Sequence, residues 1–385
     1  MTDNRPIPKR VVVLGAGMIG SAMAQDLAAQ SALEVHLADA RPESLDRVQK
    51  KAVVRTHLVD LANPEALRAL LKDFDLAIGA LPSVLGLYSV KTSIEAGCNM
   101  VDISFMGEDA RVLNELAKER GVVAVTDCGV APGLTNMVAS YAATRFDAYE
   151  RLEMAVGGLP AVRTWPFHYK AGFAPWDVLE EYTRPARVVE DGRVVIKEAM
   201  SGLKLINVPG VGTVESFITD GLRSLVDTLK VPFMEERTLR WPGHTELMKV
   251  FRETGFFSLE PIDVFGQRLR PRDVTAALLF PKWTFEEGEA DITVMQVRAS
   301  GIKDGAPKTL TFDFVDRFDP ATGLRSMSRS TGFTATAVAS LILDGTFTEP
   351  GVHAPEVLGS RSGLLDRVLD YLRARGIRCE MTGRE

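Results

Sequence analysis

The length and composition of this chain exclude several classes of protein. It has 385 residues, of which 46% are hydrophobic and 25% are charged, which is typical of a globular protein with two or three domains. Its 45 Lys and Arg against 51 Asp and Glu give a net charge of −6, which argues against nucleic-acid binding. No apolar run reaches membrane-spanning length and the first ten residues lack a signal-peptide core, so we expect a cytoplasmic protein without membrane contact. The three cysteines and five histidines are too scattered to predict a disulfide framework or a metal site.

A glycine-rich turn is the most informative feature. Residues 11–14 are an apolar run typical of a buried strand, and Gly15, Gly17 and Gly20 follow with the spacing G-x-G-x-x-G. In that motif the first glycine permits a tight turn, the second lets main chain approach a pyrophosphate, and the third lets the next helix pack closely. A helix starting with Met18 and Ile19 would direct its positive end at the phosphates.

The residue after the second strand indicates the cofactor. A strand predicted at 33–38 ends at Asp39, nineteen residues after Gly20. A carboxylate there suits both hydroxyls of an adenosine ribose and repels a 2′-phosphate, which predicts NAD rather than NADP. Ala40 and Arg41 follow Asp39, and we include them among the cofactor-binding candidates. Arg41 leaves NADP open because an arginine can bind the phosphate, although stacking on adenine is its commoner role.

Strands and helices continue to alternate as far as residue 126. The predicted strands are 53–58, 76–80, 99–103 and 122–126, and the predicted helices are 42–51, 64–71, 84–96 and 110–120. This alternation predicts an α/β Rossmann domain with a doubly wound parallel sheet, whose ligands bind beyond the carboxyl ends of the strands. The loops at those ends add cofactor-binding candidates: Asp60, Leu61, Ala80, Leu81, Pro82, Ile103 and Ser104. Asp60 either bonds the adenine amine or caps the next helix.

The pattern changes after Gly129. Strand-like runs at 152–156, 186–196, 292–299 and 309–315 are separated by Gly- and Pro-rich turns, with helices predicted at 175–182, 220–229, 244–254 and 272–279. They predict an α+β domain with a mainly antiparallel sheet, whereas helices near 332–343 and 363–375 are expected to return to the first domain. We therefore predict a Rossmann domain from residues 1–128 and 331–385, and a substrate-binding and dimerisation domain from 129–330. The inserted sheet favours a homodimer or a higher homo-oligomer.

Several motifs resemble the saccharopine dehydrogenase family, in its glutamate-forming branch. Together with the glycine turn they are Val101–Ser104, Asp127–Gly133 and Gly157–Pro160, and the resemblance covers nearly the whole chain. The segments Thr164–Lys170, Glu180–Ala186 and Gly212–Arg223 are similar to the lysine 6-dehydrogenase members of that family. The resemblance implies an enzyme that uses NAD to oxidise the ε-carbon of L-lysine. The product, 2-aminoadipate 6-semialdehyde, cyclises to piperideine-6-carboxylate, and ammonia is released.

Two alternatives remain open. The first is an imine reductase of the saccharopine or carboxynorspermidine dehydrogenase type. Saccharopine reductases tend to carry an acidic residue and a histidine after their D-P-G turn, where this chain has Ala131–Asn136, and this chain is shorter than they are. The second alternative is a sensor that binds NAD without turnover, which has no reason to keep a charged site in a second domain.

Oxidation of an amine sets chemical requirements for the site. Hydride can leave carbon only if the adjacent nitrogen has a free lone pair, yet a lysine ammonium has a pKa of about 10.4 in water. The site therefore needs a base or a desolvated pocket, and also a cation or backbone donors for the α-carboxylate.

Five residues are the main candidates for this chemistry. Asp102, at the end of a predicted strand, is our first choice for the base, although it also suits a cap of the turn into the next helix. His244 titrates near neutral pH, or else caps the helix that follows. Lys170 is the third catalytic candidate. Arg223 or Arg240 suits the α-carboxylate because a guanidinium binds it with two hydrogen bonds.

The remaining substrate-binding candidates are less specific. Two roles are open for Asp127: a contact with the substrate, or a structural cap. Tyr169 lies among aromatic residues, which either pack against the methylene stem of a lysine substrate or form part of the core. The family resemblance adds Gly158 and Leu159, and it implies that the main chain of Leu81 and Pro82 faces the nicotinamide.

Overall fold

The structure, a computed structural model, describes residues 8–383. Strands and helices alternate in its first part. They are β1 (Lys9–Leu14), α1 (Met18–Ala28), β2 (Leu33–Asp39), α2 (Pro42–Gln49), β3 (Arg55–Leu58), α3 (Pro64–Leu71), β4 (Leu76–Gly79), α4 (Gly86–Ala96), β5 (Asn99–Asp102), α5 (Asn114–Arg120) and β6 (Val123–Val125). Short 3₁₀ turns, Ser83–Leu85 and Ala110–Leu113, precede α4 and α5, so the helix predicted at 110–120 begins as a 3₁₀ turn.

The middle of the chain is richer in strands. Its elements are α6 (Leu134–Ala143), β7 (Ala148–Pro160), α7 (Pro175–Thr183), β8 (Ala186–Glu190), β9 (Arg193–Lys197), β10 (Lys204–Val208), β11 (Gly212–Ile218), α8 (Leu225–Thr228), β12 (Phe233–Arg240), α9 (His244–Glu253), β13 (Ile262–Val264), β14 (Gln267–Leu269), α10 (Pro271–Trp283), β15 (Asp291–Lys303) and β16 (Ala306–Arg317). The chain then continues through α11 (Ser326–Leu343), β17 (Gly351–His353), α12 (Glu356–Ser360), α13 (Leu364–Ala374) and β18 (Glu380–Thr382). Along residues 8–383, no helix has both the length and the apolar character needed to cross a membrane.

The chain forms two compact units. The first runs to Leu134 and also includes Ser328–Gly376, whereas the second comprises Thr135–Met327 and the chain from Ile377 onward. These boundaries lie a few residues from the expected ones. The end of the chain differs more: we expected residues 331–385 in the first domain, but the chain from Ile377 onward belongs to the second unit, where β18 pairs with β16.

The first unit contains a seven-stranded parallel sheet in the order β17-β6-β5-β4-β1-β2-β3, so the predicted Rossmann domain is confirmed. The four residues Val11, Val12, Val13 and Leu14 of its central strand are completely buried. The strand order reverses between β1 and β4, and ligands of such sheets bind beyond the carboxyl ends of the strands at this reversal. The glycine-rich turn follows β1 and therefore lies at this edge.

The second unit contains a mixed, mostly antiparallel sheet, which confirms the second part of the predicted fold class. Its main path is β10-β11-β12-β7-β15-β16-β18, while β8 pairs with β12 and β9 with β8. The strand β7 is parallel to β12 and antiparallel to β15. The helix predicted at 220–229 shortens to α8, because Arg223 has left-handed backbone with φ of 52°.

The strand β12 is the main element that the sequence did not predict. Its residues Glu235, Glu236, Arg237 and Arg240 are buried, so the apolar and polar alternation that marks a strand is missing. Three of these four residues form ion pairs: Arg237 Nε donates to Glu235 at 2.8 Å, and Arg240 donates to Glu181 at 2.5 Å. Such pairing offsets much of the free energy that burial of a charge costs.

Glu236 differs from the other charges of β12 because hydroxyl and amide donors, rather than a cation, face its carboxyl group. Thr219 Oγ1 donates to Glu236 Oε2 at 2.5 Å, and the amide of Gly221 donates as well. Burial raises the pKa of Glu236 to about 8, and the nearby charges of Glu181 and Asp220 add to the increase. The folded state therefore favours a protonated Glu236 up to neutral pH.

We expect Glu236→Gln to stabilise the protein in alkaline solution. The pKa of Glu236 is higher in the folded state than its ordinary value of 4.5, so its contribution to stability is full below pH 4.5 and is lost as pH rises toward 8. A neutral glutamine removes this loss, which amounts to about 2–4 kcal/mol at pH 8. Urea unfolding at several pH values between 5 and 8.5 measures it.

The matched control is Glu235→Gln on the same strand. It breaks the ion pair with Arg237 and leaves a buried cation, so it should destabilise the protein at every pH in that range. If Glu236→Gln destabilises the protein as much at pH 8 as at pH 5, Glu236 is not protonated in the folded state.

Candidate functional site

The glycine turn after β1 has the close approaches that its sequence predicts. Gly15 has φ of +103°, and a Cβ there would lie 2.6 Å from the carbonyl oxygen of Ala80. A Cβ on Gly20 would lie 1.9 Å from the carbonyl oxygen of Gly15, so α1 packs directly on the turn. Gly17 faces open space, with no atom within 4 Å of an added Cβ. The first amides of α1, at Met18 and Ile19, lack intrahelical acceptors and can bind an anion at this opening.

Asp39 is fixed against the same turn. Its Oδ2 accepts a hydrogen bond from the amide of Ala16 at 2.7 Å, and its Oδ1 accepts one from the amide of Arg41 at 2.8 Å. Arg41 Nε also donates to Oδ1, at 3.2 Å. Burial by itself raises the pKa of Asp39, but the hydrogen bonds from Arg41 and Ala16 outweigh it and lower that pKa, so the carboxylate is ionised. Ala40 and Arg41 are exposed.

Hydrogen bonds join the strand-end loops that we expected to face the cofactor. The amide of Ala80 donates to Leu14 O at 2.9 Å, and the amide of Ile103 donates to Gly79 O at 3.1 Å. Ser104 Oγ lies 3.3 Å from Leu81 O, and Pro82 precedes the 3₁₀ turn before α4. The structure therefore brings together the predicted candidates that follow β1, β4 and β5.

The candidates after β3 have other local roles. Asp60 accepts a hydrogen bond from the amide of Ala62 at 3.0 Å, in an exposed loop. The cap of α3 that we considered for Asp60 is supplied instead by Asn63, whose side chain accepts from two amides of the first turn. Leu61 packs in the core, which leaves only its main chain for a ligand.

Asp102, our first choice for the base, is completely buried in the first unit. Its Oδ1 accepts from the amide of Ser104 at 2.8 Å, and its Oδ2 lies 3.2 Å from Ser104 Oγ. A Cβ on Gly79 would lie 1.9 Å from Oδ2, so only glycine leaves room for this carboxyl. Burial raises the pKa of Asp102 to about 7, and the charge of Asp127 adds to the increase. This geometry fits a group that positions the Ser104 loop better than a base that touches substrate.

Asp127 lies near Asp102 in the same unit and is half-buried. Its φ of 54° places a non-glycine residue in the left-handed region. The next amide, that of Cys128, donates to Asp102 O at 2.9 Å, and this bond joins the segment after β6 to the end of β5. Unfavourable backbone of this kind is concentrated at functional sites.

In the second unit, Arg240 lies in a buried cluster with Glu181, Tyr182 and Tyr169. Its Nη2 donates to Glu181 at 2.5 Å and its Nε donates to Tyr182 Oη at 3.1 Å, while its guanidinium lies 4.6 Å from the centre of the Tyr169 ring. Arg240 is only 2% exposed. Glu181 and Tyr182 were not predicted as partners of Arg240, because 58 or more residues separate them from it in the chain.

His244 belongs to the same cluster. Its Nε2 lies 2.8 Å from Tyr182 Oη and its Nδ1 lies 2.8 Å from Phe167 O. Burial lowers the pKa of His244 to about 3, and the charge of Arg240 lowers it further. The ring is therefore neutral, which does not fit the base near neutral pH that we considered. The helix cap that we considered as its alternative is wrong, because Gly243 is the N-cap residue of α9 and the His244 ring makes no capping hydrogen bond.

Lys170, Gly158 and Leu159 have contacts outside this cluster. Lys170 Nζ binds the Glu289 carboxylate at 2.7 and 2.9 Å. A Cβ on Gly158 would lie 2.7 Å from Met327 Cε, and Leu159 packs in the core. Arg223 is buried, and like Asp127 it has left-handed backbone. Within residues 8–383, no three His, Cys, Asp or Glu side chains are grouped so that they could hold a metal ion.

Comparisons with known proteins agree with this architecture. The family profile "Saccharopine dehydrogenase NADP binding domain" matches residues 11–125, and "Saccharopine dehydrogenase C-terminal domain" matches residues 129–377. The chain is also similar to the crystal structure of apo saccharopine dehydrogenase (L-Glu forming) from Saccharomyces cerevisiae, with a TM-score of 0.80 and 20% identity over 97% of this chain and 99% of that one. At this identity the likeness shows a shared fold.

Three relatives illustrate the range of similar proteins. Alpha-aminoadipic semialdehyde synthase from Mus musculus is 26% identical over 68% of this chain, which spans only 30% of that longer protein. Saccharopine dehydrogenase (NADP(+), L-glutamate-forming) from Saccharomyces cerevisiae is 22% identical over 90% of this chain and 94% of its own length. Carboxyaminopropylagmatine dehydrogenase from Synechocystis is 24% identical over 90% of this chain and 92% of its own length. Because the two family profiles match most of the sequence, the chain belongs to the saccharopine dehydrogenase family.

Proposed function

We propose that this protein is an NAD-dependent amine dehydrogenase whose substrate is L-lysine. The reaction oxidises the ε-carbon, releases ammonia and yields 2-aminoadipate 6-semialdehyde, which cyclises to piperideine-6-carboxylate. Membership of a family of dehydrogenases supports the reaction class. The observation that supports NAD as the cofactor is the ionised Asp39 carboxylate, which is fixed beside the glycine turn.

The residues of the first unit fit a dinucleotide without a 2′-phosphate. Gly17 leaves open space where main chain can approach a pyrophosphate, and α1 begins at that point. A carboxylate at the end of β2 accepts hydrogen bonds from ribose hydroxyls and repels an added phosphate. Arg41 already donates to Asp39, so part of its positive charge is neutralised there.

Some of the predicted substrate residues are suited to bind the substrate, whereas others hold the protein structure in place. We propose that Arg223 binds the α-carboxylate of the substrate. Arg240 is less suitable because its guanidinium already donates to Glu181, Tyr182 and Leu239 O. We propose that Asp127, which follows β6 and is half-buried, contacts the reacting amine of the substrate. The left-handed backbone of Arg223, a region that arginine seldom adopts, supports selection for a ligand rather than for stability.

The bound dinucleotide supplies the hydride acceptor. The protein must present the amine as a neutral species, since an ammonium has no lone pair to stabilise the imine that forms. Two routes give this neutral amine: a carboxylate that accepts a proton from the bound ammonium as a general base, and exclusion of bulk water, which disfavours the charged ammonium. Water must then attack the imine carbon to release ammonia.

The relatives favour a second candidate, an imine reductase that uses NADP. The name of the yeast relative specifies saccharopine and NADP, and the name of the Synechocystis relative specifies carboxyaminopropylagmatine. In this chain the exposed guanidinium of Arg41 supports that alternative, because it is positioned two residues after the ribose-binding aspartate.

A steady-state substrate screen separates these candidates. Lysine, ornithine, saccharopine and cadaverine are each tested with NAD and with NADP, and NADH or NADPH formation is followed by absorbance. We expect lysine with NAD to react best. Cadaverine should react at least about tenfold more slowly in kcat/KM, because it lacks the carboxylate that Arg223 binds.

Turnover of saccharopine with NADP alone would contradict both the substrate and the cofactor that we propose. Binding of NADH without consumption of any amine would instead support a sensor.

Replacing Asp39 by Asn should shift the cofactor preference toward NADP. The amide keeps an oxygen for the Ala16 amide but removes the negative charge, so the repulsion of a 2′-phosphate disappears and Arg41 is released to bind it. We expect the ratio of kcat/KM for NADP to that for NAD to rise about tenfold to hundredfold.

The control for this experiment is Arg41→Ala, which should leave the preference for NAD intact. A wild-type enzyme that already prefers NADP, or an Asp39→Asn variant with an unchanged ratio, would show that Asp39 does not select the cofactor.

Replacing Asp102 by Asn tests whether this residue positions a loop or transfers a proton. For a positioning role we expect KM for NAD to rise about threefold to tenfold, with kcat within about threefold and its pH profile unchanged. Gly79→Ala should act in the same direction, since its Cβ would displace the Asp102 carboxyl. A fall in kcat of about 10²-fold, with loss of a limb of the pH profile near 7, would identify Asp102 as the general base.

A further inference from the structure

The hairpin of β13 and β14 is unusually exposed. All residues from Leu259 to Arg270 are exposed, and among them are the apolar Ile262, Val264 and Leu269. The two strands pair with each other and with no other strand within residues 8–383. A two-stranded hairpin is marginally stable in water unless its apolar face packs against something else.

The turn of this hairpin carries an unusual residue. Three hairpins of the second unit have both central turn residues in the left-handed region, as in type I′ turns. The turns between β8 and β9 and between β15 and β16 use Asp191-Gly192 and Asp304-Gly305, the residue pair that this geometry favours. The turn between β13 and β14 uses Phe265-Gly266, with φ of 50° and 81°. A bulky residue is unfavourable in this region, and the Phe265 side chain is also fully exposed.

An apolar groove lies beside this hairpin within the second unit. Its volume is about 1380 Å³, and one side of it is formed by Ile262, Val264 and Leu269 of the hairpin. Val274 and Leu278 of α10 form another side, and the exposed Trp165 also lines the groove. The same unit therefore presents an exposed aromatic tip and an apolar groove that is large enough to hold it.

The exposed apolar area here is larger than that of a typical monomer surface. A whole large aromatic side chain has about 150–250 Å² of surface, and in this region Phe265 is fully exposed, Trp165 is 81% exposed and Phe256 is 46% exposed. With the aliphatic side chains of the hairpin and α10, the patch exceeds the ~300–600 Å² usual for the largest apolar patch of a monomer. It approaches the ~800 Å² per partner that a stable complex buries.

Charges around the patch suit association with an identical surface. The hairpin carries the exposed Asp263 and Arg268, and the groove is lined by Lys282 and Glu286. Lys170 also lines the groove, where it is paired with Glu289, so both sides carry acidic and basic residues. In a two-fold dimer the same patch meets itself, so a hairpin of one copy can meet opposite charges at the groove of the other.

We propose that two copies of this chain associate through this surface, with Phe265 of each hairpin inserted into the groove of the other copy. The association removes the exposed ring from water and covers the apolar face of the hairpin. It also explains why the turn keeps a phenylalanine where the chain elsewhere uses aspartate.

The first test is Phe265→Asp, which creates the same Asp-Gly turn that the other two hairpins contain. The fold of the single chain should be unaffected or slightly stabilised, whereas the apolar contact is lost. Leu278→Asp tests the groove, and Val53→Asp is the control because Val53 is 93% exposed in the first unit. Sedimentation velocity over a range of concentrations measures association, and circular dichroism checks folding.

We expect wild type and Val53→Asp to sediment at twice the chain mass of 42.0 kDa, and both patch variants to dissociate with a dimer Kd raised at least about a hundredfold. The proposal is wrong if the wild-type chain is monomeric at all concentrations, or if both patch variants associate as wild type does. Binding of the monomer to phospholipid vesicles, lost in Phe265→Asp, would assign the patch to a membrane surface instead.

A cross-linking experiment tests the reciprocal geometry. A Phe265→Cys chain is mixed with a Leu278→Cys chain and treated with a short bismaleimide. The mixture should give a covalent dimer, whereas each variant alone should give only the background that wild type shows from Cys98, Cys128 and Cys379. Equal cross-linking in Phe265→Cys alone would mean that the two tips meet each other, and the inserted arrangement would be wrong.

Discussion

The hydrogen bond between the Asp39 carboxylate and the Ala16 amide joins the two features on which the dinucleotide site depends. Ala16 lies inside the glycine turn, and Asp39 ends the neighbouring strand. The 2.7 Å contact fixes the carboxylate next to the turn, and its ionised state both strengthens the bond and sets the charge that a ribose meets. The same hydrogen bond therefore fixes the path of the turn and the carboxylate that we propose to select NAD over NADP.

The second unit uses buried charge in a different way. Its strand β12 carries ionisable residues on both faces, and most are paired with an opposite charge, as in Glu235 with Arg237 and Glu181 with Arg240. The chain has these pairs although a protein with apolar side chains of similar volume in their place is often equally stable. We infer that they specify one arrangement of the strands around Arg240 and Tyr182, which keeps the shape of that unit constant.

The sequence was sufficient where local rules decide the structure. The glycine turn, the helix from Met18 to Ala28 and the helix from Pro64 to Leu71 follow from spacing and capping, and the structure has them at the predicted residues. The strand β12 was missed because its buried residues are charged, and because Glu181, which pairs with Arg240, is 59 residues away in the chain. Asp60 and Asn63 carry equally suitable capping side chains, so only the observed backbone shows that Asn63 caps α3. The site residues Arg223 and Asp127 stay predictions.

Burial moves the pKa values of the two leading base candidates in opposite directions, and it also keeps both groups from contact with a substrate. It raises the pKa of Asp102 and lowers the pKa of His244, because in each group it disfavours the charged form. Perturbed pKa values are common at active sites, but a base must also reach its proton. Both groups are completely buried and bonded to protein atoms. For the amine oxidation that we propose, the neutral amine would then arise from a more accessible carboxylate or from desolvation of the amine itself, and this is our reason for proposing Asp127 as the group that contacts it.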